Sequence, residues 1–118
     1  MLSKANRLKK ENDFKRIFLG GKTIRGSLLT MRFAPNGGQK TRFGFVVGLR
    51  FSKKAVLRNK MKRQLSAAAE KHYYKIKPGY DIVVIPGNFT DAGQAELVSA
   101  LAEALNKAGI LDSFREND

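Results

Sequence analysis

The stretch from Arg42 to Ile85, RFGFVVGLRFSKKAVLRNKMKRQLSAAAEKHYYKIKPGYDIVVI, decides the fold. Arg42 to Phe51 alternates with the period of a strand. Phe43, Phe45, Val47 and Leu49 lie on one face, and Arg42, Gly44, Val46, Gly48 and Arg50 on the other. That second face has Arg at both ends and Gly between. It reads as flat and accessible, and the same glycines suit close packing by a helix. Ala55 to about Lys75 has helical spacing, with Ser52 as a candidate cap. Pro78-Gly79 then breaks the chain. Tyr80 to Ile85 is a continuous apolar run, as expected of a central strand covered on both faces.

Outward from this unit, Ser27 to Ala34 (SLLTMRFA) reads as another strand. Leu29, Met31 and Phe33 alternate with Leu28, Thr30 and Arg32. Pro35-Asn36-Gly37-Gly38 is a turn, so this strand and Arg42–Phe51 are expected to pair antiparallel. A short extra strand is expected near Thr23. Glu11 to Leu19 reads as a helix with Asn12 as its cap, Phe14, Ile17 and Phe18 on one face, and Gly20-Gly21 as its stop. Asp91 to Ala108 reads as a long helix opened by an Asp91–Gln94 capping box. Leu97, Leu101, Ala104, Leu105 and Ala108 form its buried stripe, and Gly109 follows its end. Residues 1–111 make one α+β domain, a small sheet sandwiched with helices, and residues 112–118 a polar tail.

The charge excludes several function classes. The chain has 118 residues, 23 Lys plus Arg, 10 Asp plus Glu and no Cys, giving a net charge of +13. No cysteine means no disulfide framework, no thiolate zinc site and no thiol nucleophile. No apolar run approaches the ~20 residues of a membrane span, and no signal-peptide core follows the basic start. The expected compartment is the cytoplasm. Residues 1–77 hold 21 basic residues against Glu11, Asp13 and Glu70, a net of +18; residues 78–118 carry a net of −5. A one-sided excess suits binding of a polyanion, because each neutralised phosphate releases counterions. A generally basic soluble protein and a membrane-surface helix explain the split less well.

The densest signal is Phe51 to Leu65. At about 100° per residue, Arg58, Lys62, Asn59 and Arg63 form one polar stripe beside the arc of Leu57, Met61, Leu65 and Ala68. No acid lies within reach before Glu70. Like-charged i,i+4 pairs weaken an isolated helix, and a solvated face usually mixes both signs. A groove edge receiving phosphates explains the stripe better. Arg can grip phosphate bidentately, Lys supplies a compact charge, and Asn can donate to phosphate or sugar oxygens.

Ser52-Lys53-Lys54 followed by Ala55-Val56-x-Arg58-Asn59-x-x-Lys62-Arg63 resembles the signature helix of the bacterial ribonuclease P protein component family. Asn6-Arg7-Leu8-Lys9-Lys10 with Asp13-Phe14 and Phe18 is similar to that family's N-terminal segment. The resemblance spans roughly residues 5–111. It implies an αβββαβα order with a left-handed βαβ crossover, which general chirality would not suggest. It implies binding of the ribonuclease P catalytic RNA through Ser52, Lys53, Lys54, Arg58, Asn59, Lys62 and Arg63. It also implies a cleft for the 5′ leader of precursor tRNA at Phe14 and Phe18, where rings can stack on bases. Core packing explains those rings equally well. Arg32, Arg42 and Arg50 join the leader set as basic positions of the strands. Three departures from the family pattern stand out. Lys54 joins Ala55 directly, Ser66 stands where a further Arg is usual, and Arg32 where an aromatic is common.

The chain reads as an enzyme subunit rather than a nuclease by itself. His72 is the only histidine, which excludes a two-His acid–base arrangement, and it falls on the buried arc of its helix. The acids do not cluster as a two-metal site requires, and no GxxxxGK[ST] loop is present. The resemblance implies that magnesium and the catalytic centre belong to the RNA, with no metal held by a protein that is monomeric alone. A ribosomal-type structural RNA-binding protein and a protein-only ribonuclease are the rival readings.

Overall fold

The computed structural model describes residues 2–87 and 92–111. The chain runs through α1 (Glu11–Gly20), β1 (Lys22–Arg25), β2 (Leu29–Pro35), β3 (Arg42–Phe45), α2 (Ala55–His72), β4 (Tyr80–Pro86) and α3 (Gln94–Ala108). Short 3-10 turns lie at Lys4–Asn6 and Tyr73–Lys75. The order is αβββαβα, and the strand expected near Thr23 is β1.

The four strands form one mixed sheet in the order β1-β2-β4-β3. β1 pairs antiparallel with β2, β2 antiparallel with β4, and β3 parallel with β4. β4 is central, as its apolar run requires. This overturns the expected pairing of β2 with β3, because β4 occupies the edge of β2 that a hairpin would have used. Register places Met31 opposite Val84 on one side of β4, and Phe43 opposite Ile82 on the other. The Asn36 N–H donates to the Gly79 carbonyl at 2.8 Å, so the turn after β2 is tied to the start of β4 as the chain crosses to β3. The far side of β3 is not left bare, since the Leu8 N–H donates to the Phe43 carbonyl at 2.8 Å and blunts an open edge.

Strand β3 is shorter than expected. It ends at Phe45, and one more bond follows, from the Val46 N–H to the Val84 carbonyl at 3.0 Å. The chain then turns, with the Phe51 N–H donating to the Gly48 carbonyl at 3.1 Å. Arg50 therefore sits in a turn, and strand alternation no longer puts it on a sheet face with Arg42.

The two sheet faces are unequal. Leu29, Met31, Phe33, Phe43, Ile82 and Val84 pack with Met61 and Leu65 of α2 and Leu97, Leu101 and Leu105 of α3 in the main core. The opposite face carries α1 and a smaller cluster of Leu8, Ile17 and Val83, flanked by Phe14, Val46 and Ile85. Complete burial of a Leu, Ile or Phe contributes roughly 1.5–3 kcal/mol, so most of the stability lies on the α2–α3 side.

Helix starts differ from the expected caps. α1 begins after Lys10 rather than at Asn12, with Glu11 and Asp13 in its first turn beside the positive helix end. α2 is preceded by Lys54, and Ser52 Oγ accepts the Lys54 N–H at 3.1 Å. Asp91 of the expected capping box lies outside the described residues, as does the tail 112–118. α3 begins at Gln94, and Glu96 Oε1 accepts the Gly93 N–H at 3.1 Å. Gln94 instead donates to the Gln64 carbonyl at 2.9 Å, joining α3 to α2. Gly109 has a φ of 74°, and its N–H caps the carbonyls of Leu105 and Asn106. Among the described residues no helix is long and apolar enough to cross a membrane.

Candidate nucleic-acid interface

The first half of α2 overhangs the core. Met61 and Leu65 are buried, Arg58 is half-buried, and Asn59, Lys62 and Arg63 are exposed. The stripe thus borders the buried arc as the wheel requires. Leu57 departs from that arc: it is 44% exposed and lines a hollow instead. Lower down, the same stripe is covered. Ser66 is only 5% exposed, and its Oγ has no hydrogen-bond partner among the described residues. Position 66 therefore faces packing in this chain.

The electrostatics of this end are one-sided. No acid occupies the first turn of α2, although the unpaired N–H groups there are partially positive. Lys53 and Lys54 precede the helix on exposed backbone. Arg58 Nη1 donates to the Ser52 carbonyl at 3.0 Å, which fastens the 48–54 turn to the helix. Among the described residues, Lys53, Lys54, Arg58, Lys62 and Arg63 form no ion pair. Their charges are therefore available to an anion.

The arginines on the α1 face are engaged differently. Asp81, at the head of β4, is 0% exposed. Its Oδ1 accepts Arg42 Nε at 2.8 Å and Asn36 Nδ2 at 2.9 Å, and its Oδ2 accepts Arg42 Nη2 at 2.7 Å and Arg16 Nη2. Arg42 Nη1 also lies 3.6 Å from Asp13 Oδ2 of α1. The Asp81 hydrogen bond holds the Arg42 pKa above its ordinary value against the opposing effect of burial, and the charges of Asp81 and Asp13 add to it. A buried carboxylate without such partners would be strongly disfavoured. This cluster locks α1 to the centre of the sheet.

Arg32 closes the other end of α1. Its Nη1 donates to Thr23 Oγ1 at 2.8 Å and its Nη2 to the Phe18 carbonyl at 2.7 Å. The guanidinium also lies 5.6 Å from the centroid of the Phe18 ring, within cation–π range. The two rings on α1 have different surroundings. Phe14 packs on Gly44, where an added Cβ would come within 2.6 Å of its Cε1 and Cζ. The glycine face of β3 is therefore occupied by α1 rather than open. Phe18 is 40% exposed.

The structure brings Phe14, Phe18, Arg32 and Arg42 together around α1, and Ser52 through Arg63 together around α2 on the opposite side of the sheet. Arg50 does not join the first group. It lines a hollow with Lys53, Lys54 and Leu57. His72 is a packing histidine, with Nε2 2.8 Å from the Val98 carbonyl. Sequence reasoning missed Arg16, Asn36 and Asp81. The signal was present, because a lone acid opening a strand expected to be covered on both faces has to find cations. Among the described residues no group of three or more His, Asp or Glu could hold a metal ion.

The family model described as Ribonuclease P matches residues 2–109. The ribonuclease P protein component of Synechocystis is 36% identical over 114 residues, covering 94% of this chain and 91% of that one. That of Alkaliphilus oremlandii is 33% identical over 109 residues, covering 92% and 95%. Among solved structures, the Staphylococcus aureus RNase P protein superposes with a TM-score of 0.82 at 29% identity, covering 92% of this chain and 99% of its own. The Thermotoga maritima RNase P protein superposes with a TM-score of 0.78 at 32% identity, covering 86% and 96%.

Proposed function

The chain belongs to the ribonuclease P protein family, and from that premise we propose that it is the RNA-binding subunit of ribonuclease P, acting in tRNA 5′ maturation. The observation that carries the reading is the contrast in arginine partners. The α2 stripe keeps its cations free of internal acids among the described residues, whereas Arg16 and Arg42 on the α1 face share the Asp81 carboxylate. In this reading Ser52, Lys53, Lys54, Arg58, Asn59, Lys62 and Arg63 grip phosphates of the catalytic RNA. The α1 face receives the single-stranded leader of precursor tRNA. Phe18, exposed and backed by Arg32, presents a stacking ring to it. Phe14 and Arg42 hold the shape of that face from beneath. Magnesium and the hydrolytic centre belong to the RNA, and the protein raises substrate affinity.

Reconstitution tests this. The protein, combined with a ribonuclease P RNA at low magnesium, should cleave precursor tRNA at the leader junction faster than the RNA does alone. Cleavage that never exceeds the RNA-only rate overturns the reading in favour of a structural RNA-binding protein. Cleavage by nuclease-free protein without RNA overturns it in favour of a protein-only ribonuclease.

A further inference from the structure

On the flank of α2 beyond Arg63 lies a hollow of about 620 Å³, a size ordinary for ligand sites. Its apolar wall is Leu49, Leu57 and Met61 with the ring of Phe51. Leu49 is 70% exposed and Leu57 44%, unusual for leucines beside a strongly cationic helix. Its rim carries Arg50, Lys53 and Lys60, all exposed and without an ion pair among the described residues. Gln64 lines the same hollow. Lys60 sits about 60° further round the helix than Arg63, so the phosphate-gripping stripe continues over it into the hollow.

An apolar wall inside a rim of uncompensated cations suits a ligand that is itself apolar on a face and anionic at its margin. A free fatty chain has no use for several cations, and a folded acidic protein surface has no use for the wall. An unpaired nucleotide uses both, since its base lies against apolar side chains and its phosphates meet the rim. We infer that this hollow receives one unpaired, outward-turned base of the RNA that the α2 stripe grips. Phe51 and Leu57 face the base, Gln64 is placed to reach its polar edge, and Arg50, Lys53 and Lys60 take the flanking phosphates. The inference rests on the RNA-binding reading of α2 and adds a base contact to a grip otherwise made through phosphates. Such contacts carry sequence information that phosphate contacts lack.

The test uses the full chain with ribonuclease P RNA as the probe. Leu49→Ser with Leu57→Ser removes exposed wall and should weaken binding about tenfold while leaving the slope of affinity against salt unchanged. Arg63→Ala serves as the control for the stripe. A benzophenone amino acid at position 57 should cross-link on illumination to a single unpaired nucleotide. Normal affinity of the double variant with cross-links scattered along the RNA overturns the pocket while Arg63→Ala still weakens binding. If Arg63→Ala also has no effect, the stripe reading fails first. Cross-links joining two copies of the chain, in place of RNA adducts, overturn the inference in favour of self-association. Phe51→Leu keeps most of the packing volume and should reproduce part of the loss with an unchanged melting temperature. A loss that appears only together with a lowered melting temperature assigns Phe51 to packing and overturns its place at the base.

Discussion

Arg42 and Arg63 belong to the same excess of positive charge, yet they sit in opposite situations. Arg42 lies on β3 with Asp81 and Asp13 around it, and Arg16 meets the same Asp81 carboxylate. Arg63 lies on α2 and forms no ion pair among the described residues. The first guanidinium closes an internal circuit that holds α1 on the sheet. The second projects charge outward. Net charge therefore says how far cations outnumber acids, and the position of those few acids says which cations remain for a partner. With only three acids before residue 78, one buried carboxylate from beyond that point organises most of the α1 face.

The comparison breaks first at Asp81. Asp81→Ala leaves Arg42 and Arg16 without their shared acceptor and should cost about 3 kcal/mol of folding stability, read by denaturant unfolding. The salt dependence of RNA binding, measured where the variant is folded, should keep its slope. A fall in slope would mean that the α1-face arginines meet phosphates directly. Gly44→Ala is the next largest. The added methyl meets Phe14 Cε1 and Cζ at 2.6 Å and should cost about 2 kcal/mol by overpacking, loosening α1 and weakening discrimination between precursor and mature tRNA. Retained stability together with normal discrimination would show that Phe14 is free to move.

Arg63→Ala should leave the melting temperature unchanged. It should weaken RNA binding by about tenfold and lower the log–log salt slope by about one. An unchanged slope would place Arg63 outside the phosphate path. Arg42→Ala should behave the opposite way, losing stability and keeping the slope. The smallest effect belongs to Ser66→Ala. Removing a buried hydroxyl that has no partner should raise stability by about 0.5 kcal/mol without altering RNA affinity. A loss of affinity would instead place position 66 among the RNA contacts.

Much of this was legible in the residues. The periods of Phe14–Ile17–Phe18, Leu29–Met31–Phe33 and Leu97–Leu101–Ala104–Leu105 placed elements correctly, because helical and strand periods are local. The α2 stripe was legible for the same reason, since Arg58, Asn59, Lys62 and Arg63 are neighbours on one helix whatever it packs against. Gly44 reads equally as open surface and as a packing site, and the choice depends on Phe14, 30 positions away. Strand alternation misplaces Arg50 because the strand ends at Phe45 and the chain then turns on the Gly48 carbonyl. Arg32 read as a cation facing substrate, whereas its donors meet Thr23 and the end of α1.

The sequence by itself determined the elements, the central character of β4 and the cationic stripe of α2, since each follows from residues close in the chain. Tertiary structure alone decided that β4 enters between β2 and β3, that Asp81 gathers Arg16, Arg42 and Asn36, and that the hollow beside Leu57 opens among free cations. Edge pairing and charge pairing are long-range choices. They are settled by which distant segment best covers an exposed edge or a buried charge, and no local period records that outcome.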